Sequence, residues 1–526
     1  MKAWLKRYQM EIWYALCFLM LGWIDQRRGS AVGEVQMIFA NLTGPVVVLL
    51  LFPSLKKEFF RWRGFFLWLG ASAVLGTAAC VIGDNYWRYT GQWYTVVLNI
   101  ALIAGLLLYL VWNRRSLAEG KRLNRTCFFL VMLLLVLMTV SVHESFWPLW
   151  FLGLFGAFYL IGIPDGKERS FLLGMLWGFI LWFFIQQTVA FGFRPYDYVR
   201  YRGMYSGETQ NGLFYLMIFC AFLCLWLYLT EKKVSGWKRV LCFLLAGGCV
   251  SFIFLTGGRS ALTGAFAAGA VGLVGYDILF RKSFRHWLVQ GAALLACVVV
   301  LLPVVYGCVR YLPVILHHPI WFEGEYNPDT SVHSYDPWNS ERYITFEQVI
   351  DNNVGRVLQM LGIDLNMAEG GVRLSTPLTL QARAAESTQP GSSPENPFML
   401  EGTDTKSSIS IRKTIYAYYA SHLNWTGHTS QESGFYMTEK HFYGHAHNMF
   451  LQFAYDYGIL AGAVFLIWNV YCLLRLLNRR DMTGLCCAVF LMAIFLFGFT
   501  EMTVVPGQIT LVLLFIPYYF GMQKKR

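Results

Sequence analysis

The chain has 526 residues, of which 56% are hydrophobic, 17% aromatic and only 14% charged. That balance is too apolar for a soluble enzyme and is usual for a polytopic membrane protein. The net charge of +12 raises nucleic acid as a partner, but the basic residues gather in alternate loops, as topogenic charge does under the positive-inside rule, so no nucleic acid is expected.

In chain order, hydropathy gives about fourteen candidate transmembrane helices, centred near Cys17, Val46, Val74, Ala104, Leu134, Gly156, Trp182, Phe222, Gly247, Ala270, Val299, Phe465, Ala493 and Val512. With the N-terminus inside, well over half of the Lys and Arg fall in cytoplasmic segments and both ends are cytoplasmic; Arg27 and Arg28 run against the rule. The first span lacks a small-residue cleavage site and reads as a retained helix. All twelve cysteines lie in or beside apolar spans, so no disulfide framework is implied. The expected fold is therefore an all-α polytopic membrane protein with one large external loop. It divides into N-terminal transmembrane helices (1–190), helices with external arginine loops (191–312), a large extracytoplasmic loop (313–446) and C-terminal transmembrane helices (447–526).

Residues 1–190 alternate apolar spans with short loops and show neither a repeat nor a cluster of catalytic residue types. The external loop 192–211 differs, holding Arg194, Arg200 and Arg202 among Tyr196, Tyr198, Tyr201 and Tyr205. Tyr and Arg both favour headgroup level, so an interfacial belt is one reading. The other is a set of guanidiniums that hold an anion. Thr256-Gly257-Gly258-Arg259-Ser260 follows on the same side. Its glycines allow close backbone approach, Ser260 can cap the next helix, and the helix N-terminus adds positive potential beside Arg259. A phosphate site competes here with a snorkelling arginine.

The segment 313–446 is too long for an ordinary connection. Its middle, Arg383 to Ser408, is rich in Ser, Pro, Gly, Thr and Glu and reads as flexible. From Ile409 to Leu423, Ile411, Ile415, Tyr418 and Tyr419 recur at helical spacing behind Arg412. That pattern predicts an amphipathic helix on the membrane or across the bundle top, with Arg412 either functional or solvated. Then comes Gly444-His445-Ala446-His447-Asn448-Met449-Phe450-Leu451-Gln452, at the mouth of an apolar run that continues to Leu476. Asn448, Gln452 and Asp456 recur every four residues and share one face, which cannot look at lipid. His441, His445 and His447 invite a metal, but no Cys or close Asp/Glu pair completes a ligand set. A histidine serving proton transfer fits better, with surface histidines as the alternative. Glu501, at the next external mouth, either orients an imidazole or is solvated.

These residues carry a resemblance. Arg202-Gly203-Met204-Tyr205-Ser206, Thr256-Gly257-Gly258-Arg259, Arg412-Lys413-Thr414-Ile415-Tyr416, and His445 to Gln452 followed by Gly458-Ile459-Leu460-Ala461-Gly462 resemble, over residues 190–520, the O-antigen ligase and O-antigen polymerase superfamily. The resemblance implies a GT-C-like membrane glycosyltransferase in the inner membrane of a bacterium. Such an enzyme uses an undecaprenyl-pyrophosphate-linked glycan donor and a glycan or lipid acceptor, with no cofactor and no metal, on the extracytoplasmic face. It also implies that Arg259 and Arg412 hold the pyrophosphate, that His447 serves the acceptor with His445 as the near alternative, and that Arg202, Asn448 and Glu501 contribute to binding. The Asn-Pro-Asn usual after Arg202 is replaced here by Thr209-Gln210-Asn211. Polymerase and ligase stay open, and a transporter or flippase of a lipid-linked glycan is the rival from another class.

Overall fold

A computed structural model describes residues 6–30, 34–54, 124–143, 147–164, 166–194, 196, 200–205, 207–280, 283–316, 344–351, 363–366, 371–374, 408–429, 432, 434–438, 441–503 and 508–523. Apolar runs fold as helices because lipid offers the backbone no hydrogen-bond partner. In chain order these are α1 (Gln9–Ser30), α2 (Glu34–Leu51), α3 (Arg125–Val140), α4 (Trp147–Phe155, prolonged by the π-helical turn Gly156–Ile161), α5 (Glu168–Phe193), α6 (Glu208–Glu231), α7 (Gly236–Leu255), α8 (Arg259–Phe280) and α9 (Phe284–Ile315). The C-terminal part adds α10 (Phe346–Ile350), α11 (Ser408–Ser421), α12 (Met449–Tyr457), α13 (Ile459–Asn478), α14 (Met482–Gly498) and α15 (Ile509–Met522). Six of the described helices, α5 to α9 and α13, are long and apolar enough to cross a membrane. The architecture is that of a multi-pass helical membrane protein. The spans expected near Val74 and Ala104 lie outside the described residues, as does all of the Arg383–Ser408 stretch but its last residue.

The predominantly helical fold agrees with the all-α expectation, to which the loop adds a little strand. Two antiparallel hairpins interrupt the large loop, β1 (Ile363–Asn366) with β2 (Gly371–Leu374) and β3 (Phe435–Thr438) with β4 (His441–Tyr443). Both are polar-segment features that hydropathy cannot register.

Helix α6 is almost wholly buried at the centre, whereas α9 turns Leu295, Val299 and Val300 outward. An exposed face of that kind suits lipid. Helix α8 packs between α6 and α14 through small residues, which let helix backbones approach. Gly264 lies against Leu216 and the Ala493 carbonyl, Gly272 against Leu223 and Val489, and Gly275 against Leu485. Rising numbers on α8 meet falling numbers on α14, so the two run antiparallel. That register puts Arg259 at the level of the turn that follows Gly498.

The apolar run from Met449 does not form one long helix. It breaks at Gly458, with φ 94° and ψ 155°, a conformation open only to glycine. Helix α12 is thus a short element folded back on α13, with Gly462 giving room for Ala454. The polar face of Asn448, Gln452 and Asp456 belongs to this short helix and not to a membrane span. A turn that follows α11 completes the break: Asn424 O accepts the Ile459 N–H at 2.9 Å, and the Asp456 carbonyl accepts the His428 N–H at 3.2 Å. A Cβ on Gly458 would run into the Trp425 carbonyl. Gly458→Ala is therefore expected to lose about 3 kcal/mol or more, read as a lowered thermal midpoint of the purified protein.

Candidate functional site

The loops around α5, α6, α7 and α9 converge at one end of the bundle. The Tyr201 N–H bonds to Leu255 O at 2.9 Å, the Tyr196 N–H to Val309 O at 3.1 Å, and the Gln26 side chain to Met204 O at 2.8 Å. The described tyrosines of the 192–211 loop form no interfacial belt, and Tyr198 lies outside the described residues. Tyr196, Tyr201 and Tyr205 are buried in protein, and buried Arg194 donates through Nε to Gly203 O at 2.8 Å. Arg194 is thereby a structural arginine. Arg200 and Arg202 both face Glu208, at 3.2 and 3.6 Å, in the first turn of α6.

Arg200 also lies over Gly257, whose φ of 63° makes the turn into α8. The turn is closed by Thr256, whose Oγ1 accepts the Gly258 N–H at 3.2 Å. The expected cap at Ser260 is corrected accordingly, since α8 begins at Arg259 and Ser260 is buried in its first turn. Arg259 itself is exposed at the helix N-terminus. The two arginine motifs separated in sequence therefore share one surface.

The second cluster gathers residues from three segments. Glu501, 7% exposed, pairs through Oε1 with Nη2 of Arg412 on α11, and through Oε2 with Nδ1 of His447 at 3.1 Å. It is neither solvated nor a lone helix-end charge. A carboxylate only accepts, so Nδ1 of His447 carries the hydrogen and Nε2 is left as the basic nitrogen. His447 has φ 48°, an uncommon backbone state for a side-chain-bearing residue. Its ring lies 4.2 Å from that of His445. His445 is exposed on one side. The protein around its other side still lowers its pKa from the ordinary value, with the charge of His447 adding and Glu501 opposing. Of the two histidines, His447 is the one bonded to the carboxylate.

Asn448 has a defined local task. Its Oδ1 caps α12 by accepting the N–H groups of Phe450 and Leu451 at 3.0 and 3.1 Å. Tyr416 joins the site without having been expected there, although it lies one turn after Arg412 and so on the same face. Its hydroxyl reaches His447 O at 3.2 Å and Phe499 O at 3.3 Å, and burial raises its pKa, with Glu501 adding and Arg412 opposing. The predicted amphipathic helix is present as α11 and packs across the bundle top: Ile415 and Tyr419 are buried against Phe435, Ala446 and Tyr455.

Chemically, the cluster offers a guanidinium and an oriented imidazole joined by one carboxylate, at the level where the register of α8 and α14 sets Arg259. Among the described residues, no group of three or more His, Cys, Asp or Glu converges as a metal site would require. Comparison with family models, characterised proteins and solved structures finds no significant match.

Beneath the histidine loop, Asp456 is a carboxyl whose burial pushes its pKa up to about 6 from 3.8, against the lowering influence of His143, Gln452 and His428. A raised carboxyl pKa means that folding disfavours the charged form. The penalty is absent below about pH 4 and complete above about pH 6. Asp456→Asn is therefore expected to raise the thermal midpoint at pH 7.5 and to leave it nearly unchanged at pH 4, a comparison that scanning fluorimetry at the two pH values checks.

Proposed function

We propose that the protein is an integral membrane glycosyltransferase of the O-antigen ligase and polymerase type, moving a glycan from undecaprenyl pyrophosphate to an acceptor hydroxyl outside the cytoplasmic membrane of a bacterium. The observation that carries this reading is the Arg412–Glu501–His447 chain, at the level along the bundle to which the register of α8 and α14 brings Arg259.

The acceptor oxygen attacks the anomeric carbon of the donor sugar. The new carbon–oxygen bond forms as the bond to pyrophosphate breaks, and its electron pair leaves with undecaprenyl pyrophosphate. The hydroxyl proton passes to Nε2 of His447, while Glu501 holds Nδ1–H and stabilises the imidazolium that results. Negative charge grows on the leaving group, where Arg412 and Arg259 stabilise the transition state more than the ground state. Arg202, turned to Glu208, serves the donor less directly.

A transporter of lipid-linked glycan also uses external arginines, but it requires charged groups at mid-membrane depth. Here the Arg, His and Glu of the site crowd one end of the bundle.

The decisive experiment incubates purified protein with an undecaprenyl-pyrophosphate-linked oligosaccharide and resolves products by size. His447→Ala, Arg412→Ala and Glu501→Gln are each expected to lower the rate about a hundredfold or more. A product ladder marks a polymerase, and transfer only to an added distinct acceptor marks a ligase. No transfer to any acceptor from the unmodified protein returns the transporter to first place.

A further inference from the structure

Gln452 is buried, with 4% of its surface exposed, and its side-chain hydrogen bonds go to residues outside the Arg412–Glu501–His447 chain. Its Oε1 accepts the N–H of Ala446 at 2.6 Å, and its Nε2 donates to Asp456 Oδ1 at 2.8 Å. Ala446, fully buried, is the residue between the two histidines. The peptide that Gln452 grips is therefore next to the one that sets the unusual backbone of His447.

A residue held at positive φ persists only where its surroundings over-determine it. Asn448 fixes the loop from the helix side by capping α12, and Gln452 fixes it from below. A carboxamide by itself can face either way, because its oxygen and nitrogen differ only in what they bond. An ionised carboxylate cannot donate, so Asp456 forces Nε2 toward itself and leaves Oε1 for Ala446. This gives a physical reason for a carboxyl kept in a site that disfavours its charge.

We infer that Gln452 is a positioning residue for His447, and that Asp456 sets the direction of its carboxamide. The inference rests on the reading of His447 as the proton acceptor. Asp456 is faced by His143 from the end of α3 and by His428 from the external turn, with Tyr419 and Tyr455 nearby. His143 is itself tied to the His428 carbonyl at 2.9 Å, and His428 stacks on Tyr455 with ring centroids 3.8 Å apart. The pair is thus embedded in a fixed surround.

The test exchanges the two chemistries. Gln452→Glu sets two carboxylates against each other, joined only when they share a proton. Its kcat is expected to fall about tenfold or more at pH 7.5, with KM nearly unchanged, and to recover part of the loss toward pH 5.5. The double variant Gln452→Glu/Asp456→Asn restores one carboxylate and one carboxamide in reverse order, with the introduced carboxylate accepting from both Ala446 and the new amide. It is expected to return kcat to within about threefold of the original, a coupling that separate losses cannot produce. Full-length variants in detergent are assayed with the same undecaprenyl-pyrophosphate-linked oligosaccharide. Carbethoxylation of His445 and His447 by diethyl pyrocarbonate, followed by peptide mass spectrometry, reports the loop independently of turnover. It is expected to change in the single variant and revert in the double.

Single and double variants as active as the original, beside an inactive His447→Ala, overturn the inference and leave the glycosyltransferase reading intact. So does a double variant that keeps its thermal midpoint without regaining kcat, or a loss of rate that merely tracks a loss of midpoint. If His447→Ala keeps full transfer, the reading of His447 fails and the inference falls with it.

Discussion

The structure at the bundle mouth depends on one buried carboxylate answering a guanidinium and an imidazole. Glu501 follows α14, Arg412 rides on α11 from the long polar segment, and His447 precedes α12, so three segments distant in sequence meet at four oxygen and nitrogen positions. A carboxylate taken out of water is costly unless its partners are in place, and removing one partner leaves an uncompensated buried charge. Docking of α11 and closure of the histidine loop are thus two sides of one event. Neither can be complete while the other is undone.

Around that centre, ordinary devices do the holding. Tyr416 links α11 to the backbone of both His447 and Phe499. Met449, the first residue of α12, fills the space left by Gly498 at the end of α14 and takes the Thr503 hydroxyl on its sulfur at 3.2 Å. The result is a loop whose apolar supports lie inside the bundle and whose imidazole faces out of it. Such a division lets a partly dry site exist beside open solvent, where a charged side chain exerts more force than it would in water.

Much of this was legible in the sequence, for identifiable reasons. Apolar runs announce helices because lipid permits little else, and Arg412, His447 and Glu501 stood out as polar residues beside such runs. The helix carrying Arg412 was equally visible from the spacing of Ile411, Ile415 and Tyr419. What periodicity could not supply was the break at Gly458, since glycine in an apolar run reads as tolerated until the approaching Trp425 carbonyl is seen. Nor could it tell that Tyr196, Tyr201 and Tyr205 turn inward, because Tyr suits both a headgroup layer and a buried hydrogen bond; the burial of these three and the pairing of the Tyr201 and Leu255 backbones decide it. The partnership of Glu501 with Arg412 and His447 is a tertiary fact that no local pattern encodes.

The turn Asn424–Gly427 is held on both sides by the membrane part of the protein. The Val142 N–H, just beyond α3, bonds to Thr426 O at 3.0 Å, and the Ile459 N–H, at the start of α13, bonds to Asn424 O at 2.9 Å. This turn also ends the segment that carries Arg412. Helices answer a thicker or thinner bilayer by tilting. A tilt of α3 or α13 is therefore handed to the arginine through rigid hydrogen bonds and not absorbed by a slack linker, which makes the site mechanically continuous with the lipid around it.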